Sequence, residues 1–460
     1  MLAALVAVIA VGFAGCATVY NLPGNLPLGT AEVGNGYGRE VPALEDDLLL
    51  ALSFSGGGTR AAAFSFGVLS ELDRARPGSG QRAAASLLDR IDFISGVSGG
   101  SVTAAYYGLK KRAALDDFRE RFLLRNAEEG LRTRVSLGNL GRALGGGVND
   151  SQFTDWLDQN LFDGARFNAF REERRPRVWI NASDIYNRTP FVFGKTSFDA
   201  LCSDIGSYRI AEAVAASAAV PLAFAPIVLQ TFPGGCASPL PAWLERARQD
   251  PNAQPLLRSF AEANERYRDG SMKFVKLLDG GLVDNFGLSG FSIGLLAAQA
   301  QRPYEPMTER EAVKVRRMMF LVVDAGRGVS GDFVQTIEGP AGAQLVAAAA
   351  NTAIDASVRS SYAAFSGLVN DWVGRIKRWR CGLSAADRAR LGVGANWRCG
   401  DVSLFIDRVN FDQLGPERAG MLNAIPTRFS LPASQVDLLI ESGADALRQN
   451  KSYQAFIRGL

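Results

Sequence analysis

Two segments of the chain share one plan. "LLLALSFSGGGTRAAAFSFGVLSEL", residues 48–72, and "RIDFISGVSGGSVTAAYYGLKKR", residues 90–112, each run from an apolar strand-length stretch through a glycine turn into a segment with helical periodicity. A strand followed by a helix builds a parallel sheet, because the helix is the crossover that lets the next strand run in the same direction. The rest of the chain keeps the rhythm. "RVWINASDIYNRTPFVFG" reads as two strands, "IAEAVAASAAVPLAF" as a helix stopped by Pro221, "KFVKLLDGGLVDNFG" as a strand entering a glycine turn, and "RRMMFLVVDAG" as a buried strand. The predicted class is α/β: a mainly parallel central sheet covered by helices on both faces, in three layers, with helical C-terminal additions.

The 460 residues are 47% hydrophobic and 21% charged, enough to fill one large core, and no internal repeat is visible. A net charge of +3 gives no electrostatic footprint for nucleic acid. The chain divides into a signal or anchor over 1–16, a linker over 17–46, a catalytic core over 47–330 and a helical extension over 331–460 that ends in a strand and a helix packed on the core. Residues 230–272 interrupt the α/β rhythm and read as an insertion near the active face, either a lid or membrane-contacting element or a plain surface excursion.

The first segment, "MLAALVAVIAVGFAGCATVYN", has the length of an export signal and is short for a bilayer span. Its end, Phe13-Ala14-Gly15-Cys16, resembles a bacterial lipobox, although Phe13 replaces the usual leucine and no cation precedes the apolar run. Cys16 is the expected lipid attachment site. The expected location is a membrane-anchored, periplasm-facing lipoprotein, with the outer membrane placed ahead of the inner. Of the other cysteines, Cys202, Cys236, Cys381 and Cys399, the pairing 202–236 and 381–399 closes the shortest loops, against the alternative of four buried thiols. With no histidine and no C-x-x-C spacing, neither metal nor cofactor is expected.

Gly96-Val97-Ser98-Gly99-Gly100 places a serine at a strand-to-helix turn, a position that exposes a nucleophilic hydroxyl. The same pattern recurs at Gly290-Phe291-Ser292-Ile293-Gly294, without a preceding strand, and there reads as helix packing. A serine nucleophile needs a base, and the chain has no histidine. Asp279 ends a strand and precedes two glycines, which makes it a candidate base as well as an ordinary turn aspartate. Asp284, Asp184 and Asp324 compete with it. Gly56, Gly57 and Gly58 follow a strand and present backbone N–H groups, a candidate oxyanion hole or a plain tight turn. Arg60 reads as a loop stabiliser, a contact for an anionic head group or a solvated cation.

These three glycine-containing motifs, in this order and with the segment "ASAAVPLAFAPI", resemble the patatin-like phospholipase family over roughly residues 48–330. That resemblance implies a Ser98–Asp279 dyad, an oxyanion hole from Gly56, Gly57 and Gly58, and hydrolysis of fatty-acyl esters of phospholipids or related lipids at a membrane surface. Leu222 departs from the family, in which glycine often follows the proline. The resemblance sets no oligomeric state. Two other functions stay open: an inactive lipid-binding lipoprotein on the same scaffold, and a nucleotide-binding module using "SGGGTR". A carboxylate base also implies a pH–rate limb outside the usual imidazole range.

Overall fold

The computed structural model describes residues 19–29, 47–76, 86–131, 139, 142, 147–171, 175–236, 238–299, 302–328, 337, 339 and 343–460. The expected signal with Cys16, and most of the expected linker, lie outside them.

Among the described residues, eight strands form one sheet: β1 (Leu48–Phe54), β2 (Phe93–Val97), β3 (Arg177–Asp184), β4 (Thr189–Phe193), β5 (Ile227–Gln230), β6 (Phe274–Asp279), β7 (Arg317–Val323) and β8 (Ser403–Val409). The order is β5-β6-β3-β2-β1-β7-β8, with β4 paired to β3. The β3-β2-β1-β7-β8 stretch is parallel throughout, whereas β4, β5 and β6 join by antiparallel pairs. The principal helices are α1 (Gly58–Arg74), α2 (Gly99–Lys110), α3 (Ile210–Ser217), α4 (Ala242–Gln249), α5 (Pro255–Arg268), α6 (Ser289–Gln299), α7 (Ala343–Cys381) and α8 (Ala433–Gln449).

The three layers follow from side-chain alternation along the central strands. Leu48, Leu50, Leu52 and Phe54 of β1 enter the core shared with α1, α2 and α8, while Leu49 and Ala51 enter a second core shared with α6 and α7. On β7, Met319, Leu321 and Val323 join the first core and Met318, Phe320 and Val322 the second. Both faces of these strands are therefore covered, which is why they read as continuous apolar runs.

The segment read as an insertion carries α4 and α5, and these pack on Ile293 and Leu296 of α6 to form a small third core. One expectation changes. Residues 19–29, read as tether, are docked. Asn21 Nδ2 donates to the carbonyls of Ala225 and Pro226 (both 3.1 Å), and Asn25 Nδ2 donates to Ser203 Oγ and Gln230 O (both 2.9 Å). The disulfides are Cys202–Cys236 and Cys381–Cys399. Among the described residues no helix is long and apolar enough to cross a membrane.

Candidate active site

Ser98 joins β2 to α2 with φ 51° and ψ −125°. Holding a non-glycine residue in this sparsely populated region costs on the order of 1–3 kcal/mol. The fold holds it there: Ser98 N–H donates to Ser217 Oγ (2.8 Å), and Ser98 O accepts from Ser101 Oγ (2.6 Å) and Ser101 N–H (3.0 Å). The N-terminus of α2 starts at the next residue, so its dipole favours negative charge beside the hydroxyl.

The glycine loop touches this turn. A Cβ on Gly99 would lie 1.9 Å from Gly58 O, so only glycine allows the two turns to meet. Gly58 itself has φ +60°, and a Cβ there would lie 2.4 Å from Arg428 O. Arg428 belongs to the C-terminal "IPTRFSLP" segment, whose carbonyl also accepts from Thr59 N–H (2.8 Å). The three glycines differ in what they offer. Gly56 N–H donates to Asn285 O (3.1 Å), whereas Gly57 and Gly58 N–H engage no acceptor among the described residues.

The third piece arrives from the far side of the sheet. β3 residues 182–184 pair with β4 on one edge and with β6 on the other, and residues 180–181 pair with β4 and β2 in the same sense. Strands β2 and β6 therefore share one edge of β3 and approach it from opposite directions. Val97 sits opposite Asn181 and Asp279 opposite Ala182, so the carboxyl ends of the two strands abut.

Asp279 is buried. Its Oδ1 accepts from Gly281 N–H (2.8 Å), its backbone N–H donates to Ala219 O (2.9 Å), and its carbonyl accepts from Ser183 Oγ (2.9 Å). Burial pushes the carboxyl up to about 6, against the pull of hydrogen bonds from Gly281 N–H and the Ser98 hydroxyl. The structure thus brings Ser98, Asp279 and the Gly56–Gly58 loop together.

The competing aspartates have other partners. Asp184 accepts from Tyr186 N–H, Asn187 N–H, Asn187 Nδ2 and Tyr267 OH. Asp284 accepts from Ser289 N–H (2.6 Å), and Asp324 accepts from Gly326 N–H and pairs with Arg408. Ser292 is buried within α6 beside Phe291, which packs edge-on against Trp179.

Arg60 departs from its head-group reading. The guanidinium is buried under the glycine loop, with Nε on Ala325 O and one terminal nitrogen on Ile425 O (both 2.9 Å). Burial lowers it to about 10, with Arg327 acting in the same direction and Asp324 opposing, so it stays charged at neutral pH as a loop clamp. Leu222, the departure noted after Pro221, has φ 68° and stands exposed, which accounts physically for a glycine preference at that position.

Two residues of the site receive no role from the sequence, although one of them, Ser217, is the serine of the quoted segment "ASAAVPLAFAPI". Ser217 Oγ accepts from Ser98 N–H and donates to Asn181 O (2.6 Å), while its carbonyl accepts from Gly280 N–H (3.1 Å). It ties the nucleophile turn to the base turn. Its signal is a hydroxyl in the otherwise apolar "AVAASAAV". Asn285 Oδ1 would lie 2.5 Å from a Cβ on Gly56 and 2.8 Å from one on Gly281, so its amide fills the space between the two loops. Among the described residues no group of three or more Cys, Asp or Glu side chains is placed to hold a metal ion.

Comparison with known proteins adds a family. Residues 52–291 match the family model described as patatin-like phospholipase. A search of curated proteins gives no match. Among solved structures, human GIVD cytosolic phospholipase A2 is similar with a TM-score of 0.34 and 14% sequence identity, over 62% of this chain and 46% of that one. The chain thus spans about half the length of that structure.

Proposed function

Since this chain belongs to the patatin-like phospholipase family, whose activity is lipid acyl-ester hydrolysis, we propose that it cleaves fatty-acyl esters of phospholipids, as a phospholipase A, through a Ser98–Asp279 dyad. The observation that carries this reading is the strand registry that sets the buried Asp279 carboxyl beside the Ser98 turn, in a chain without histidine.

Asp279 accepts the Ser98 proton as Oγ attacks the ester carbonyl. The carbonyl oxygen becomes an oxyanion, and the Gly57 and Gly58 N–H groups, with the α2 dipole, are the stabilisers available to it. The tetrahedral adduct collapses, Asp279 returns the proton to the leaving alcohol, and an acyl-serine remains. Water then adds, giving its proton to Asp279, and the fatty acid leaves as Ser98 recovers its hydrogen. An ordinary aspartate, near 3.9, is a weak base for this work. Burial that raises Asp279 to about 6 brings it nearer the pH at which it acts. The leaving alkoxide of an ester needs less protonation than an amide nitrogen, which favours lipid esters over peptides.

The same reading sets the protein at a membrane surface, lipid-anchored at Cys16 and facing the periplasm from the outer membrane. Two disulfides favour an oxidising compartment. Product analysis on defined phospholipids, with the parent and Ser98→Ala, tests the function. Fatty acid and lysophospholipid are expected from the parent alone, and fluorophosphonate should label Ser98. Release that persists in Ser98→Ala, or label on another serine, rejects the dyad. Absence of both fluorophosphonate labelling and hydrolysis of any acyl ester would favour the idle lipid-binding alternative.

A further inference from the structure

The docked arm has an inverted pattern. Asn21 and Asn25 are 7% and 5% exposed, whereas Tyr20, Leu22 and Leu26 are 67%, 79% and 55% exposed. A segment docked for stability alone buries its apolar side chains and leaves its amides in water. Here the asparagines are the fasteners, and the apolar side chains are held outward by them.

The arm lies beside the site. Asn21 is fastened to Ala225 and Pro226, in the stretch just after Leu222. Leu222 is 57% exposed and held at φ 68°, and Val220 beside it is also exposed. The carbonyl of Ala219 receives the backbone N–H of Asp279. A continuous run of contacts thus joins Tyr20 and Leu22 to the turn over the base, and both ends present apolar side chains to the outside.

We infer that Tyr20, Leu22, Leu26, Val220 and Leu222 form one surface that seats in a lipid bilayer and sets the mouth of the Ser98–Asp279 site against it. This deepens the proposed function and rests on it for the substrate and for the membrane attachment before the arm. Chain length identifies the occupant. Residues 1–15 carry no charged side chain. The five steps from Cys16 to Asn21 reach at most about 18 Å. Membrane attachment through either an acylated Cys16 or the apolar run before it therefore holds the clamped arm, and the site beside it, close to the lipid surface. Tyr20 adds an amphipathic ring, the residue type favoured at the boundary between head groups and acyl chains.

The test reads seating and turnover separately, on the full chain with phosphatidylethanolamine–phosphatidylglycerol vesicles. Leu22→Cys and Leu222→Cys are each labelled with a polarity-sensitive fluorophore, and the parent chain treated in parallel gives the background. Both labels should shift to the blue on adding vesicles. The triple variant Tyr20→Ser/Leu22→Ser/Leu26→Ser should hydrolyse vesicle phospholipid about tenfold more slowly or worse, given the transfer free energy of such side chains, and keep its rate on a water-soluble short-chain ester. No blue shift at either position overturns the surface. So does a shift that appears without vesicles and grows with protein concentration, which marks contact with a second copy. An equal loss on both substrates overturns it too, by showing that the arm supports the site rather than lipid contact. A parent chain that blue-shifts on vesicles but cleaves no ester keeps the surface and rejects the hydrolase reading.

Discussion

Asp279 stands next to the position where Val97 ends β2, because the two strands meet head-on along one edge of β3. Val97 pairs with Asn181, and Asp279 with Ala182. Ser98 leaves the sheet at the junction, so the hydroxyl and the carboxyl are held by backbone registry rather than by flexible loops. Ser217 bridges the junction from α3 through Ser98 N–H, Asn181 O and Gly280 N–H.

A base in this position should be indispensable to turnover and unfavourable for stability. Ser98→Ala and Asp279→Asn are each expected to lower kcat by roughly four orders of magnitude or more on a soluble ester, with circular dichroism unchanged. The folded carboxyl titrates near 6 against an ordinary value of 3.8. The folded state therefore holds that proton more tightly than the unfolded state, and this favours folding below about pH 4. The benefit declines as pH rises through the window from 3.8 to 6, and above it the ionised carboxylate stays buried. Asparagine cannot ionise. The stability of Asp279→Asn relative to the parent should rise on the order of 2–3 kcal/mol between pH 4 and pH 8, read from denaturant melts. A parallel pair of curves would show that Asp279 does not change its proton affinity on folding.

The same shift fixes the pH–rate profile. The base works only when ionised, so kcat/KM should fall as pH drops through about 6. Composition alone suggests a limb below the imidazole range, but desolvation moves it close to that range. The chain has no histidine, so the limb has to be a carboxyl. Its temperature dependence is the check: carboxyl ionisation is nearly athermal, and the limb should stay in place between 10 and 40 °C, whereas an imidazole limb drifts downward on warming.

The parts legible in the sequence are those fixed by local chemistry. Ser98 is separable from Ser292 because a strand precedes one and a helix contains the other. The three layers follow from buried strands such as "LLLALSF". Asp279 could not be told from Asp184, Asp284 and Asp324 by residues alone. The difference lies in neighbours far along the chain: Tyr267 on Asp184, Arg408 on Asp324, and for Asp279 the register on β3 that sets it beside the Ser98 turn. The antiparallel approach of β6 is hidden because "KFVKLLDGG" reads the same in either direction of pairing. The arm misleads for a plain reason, since its Gly, Pro and Asn content suits a tether and two of its asparagines happen to be buried fasteners.

Ser217 should matter through geometry. Ser217→Ala leaves Ser98 N–H and Asn181 O without their shared hydroxyl inside the protein, and stability should fall about 1–3 kcal/mol. The substrate meets Ser98 rather than Ser217, so kcat should drop about tenfold or more with KM nearly unchanged, since a displacement of the nucleophile near 1 Å can cost as much as 100-fold. A variant equally unstable but with parental kcat would reduce Ser217 to a packing role.

Arg60 separates two accounts of the glycine loop. As a head-group contact, its loss would fall on anionic phospholipids and spare neutral esters. As a clamp between Ala325 O and Ile425 O, its loss removes two charge-assisted hydrogen bonds from beneath the loop and leaves both carbonyls buried. Arg60→Gln should therefore destabilise the protein by roughly 2–4 kcal/mol. It should also lower kcat by the same factor on phosphatidylglycerol, phosphatidylcholine and an uncharged short-chain ester, because Gly57 and Gly58 lose their fixed aim whatever the head group. Arg60→Lys should recover little, since one ammonium cannot reproduce the directions of the guanidinium fork. Parallel kinetics on the three substrates decide the matter, and a loss confined to phosphatidylglycerol would return Arg60 to the substrate.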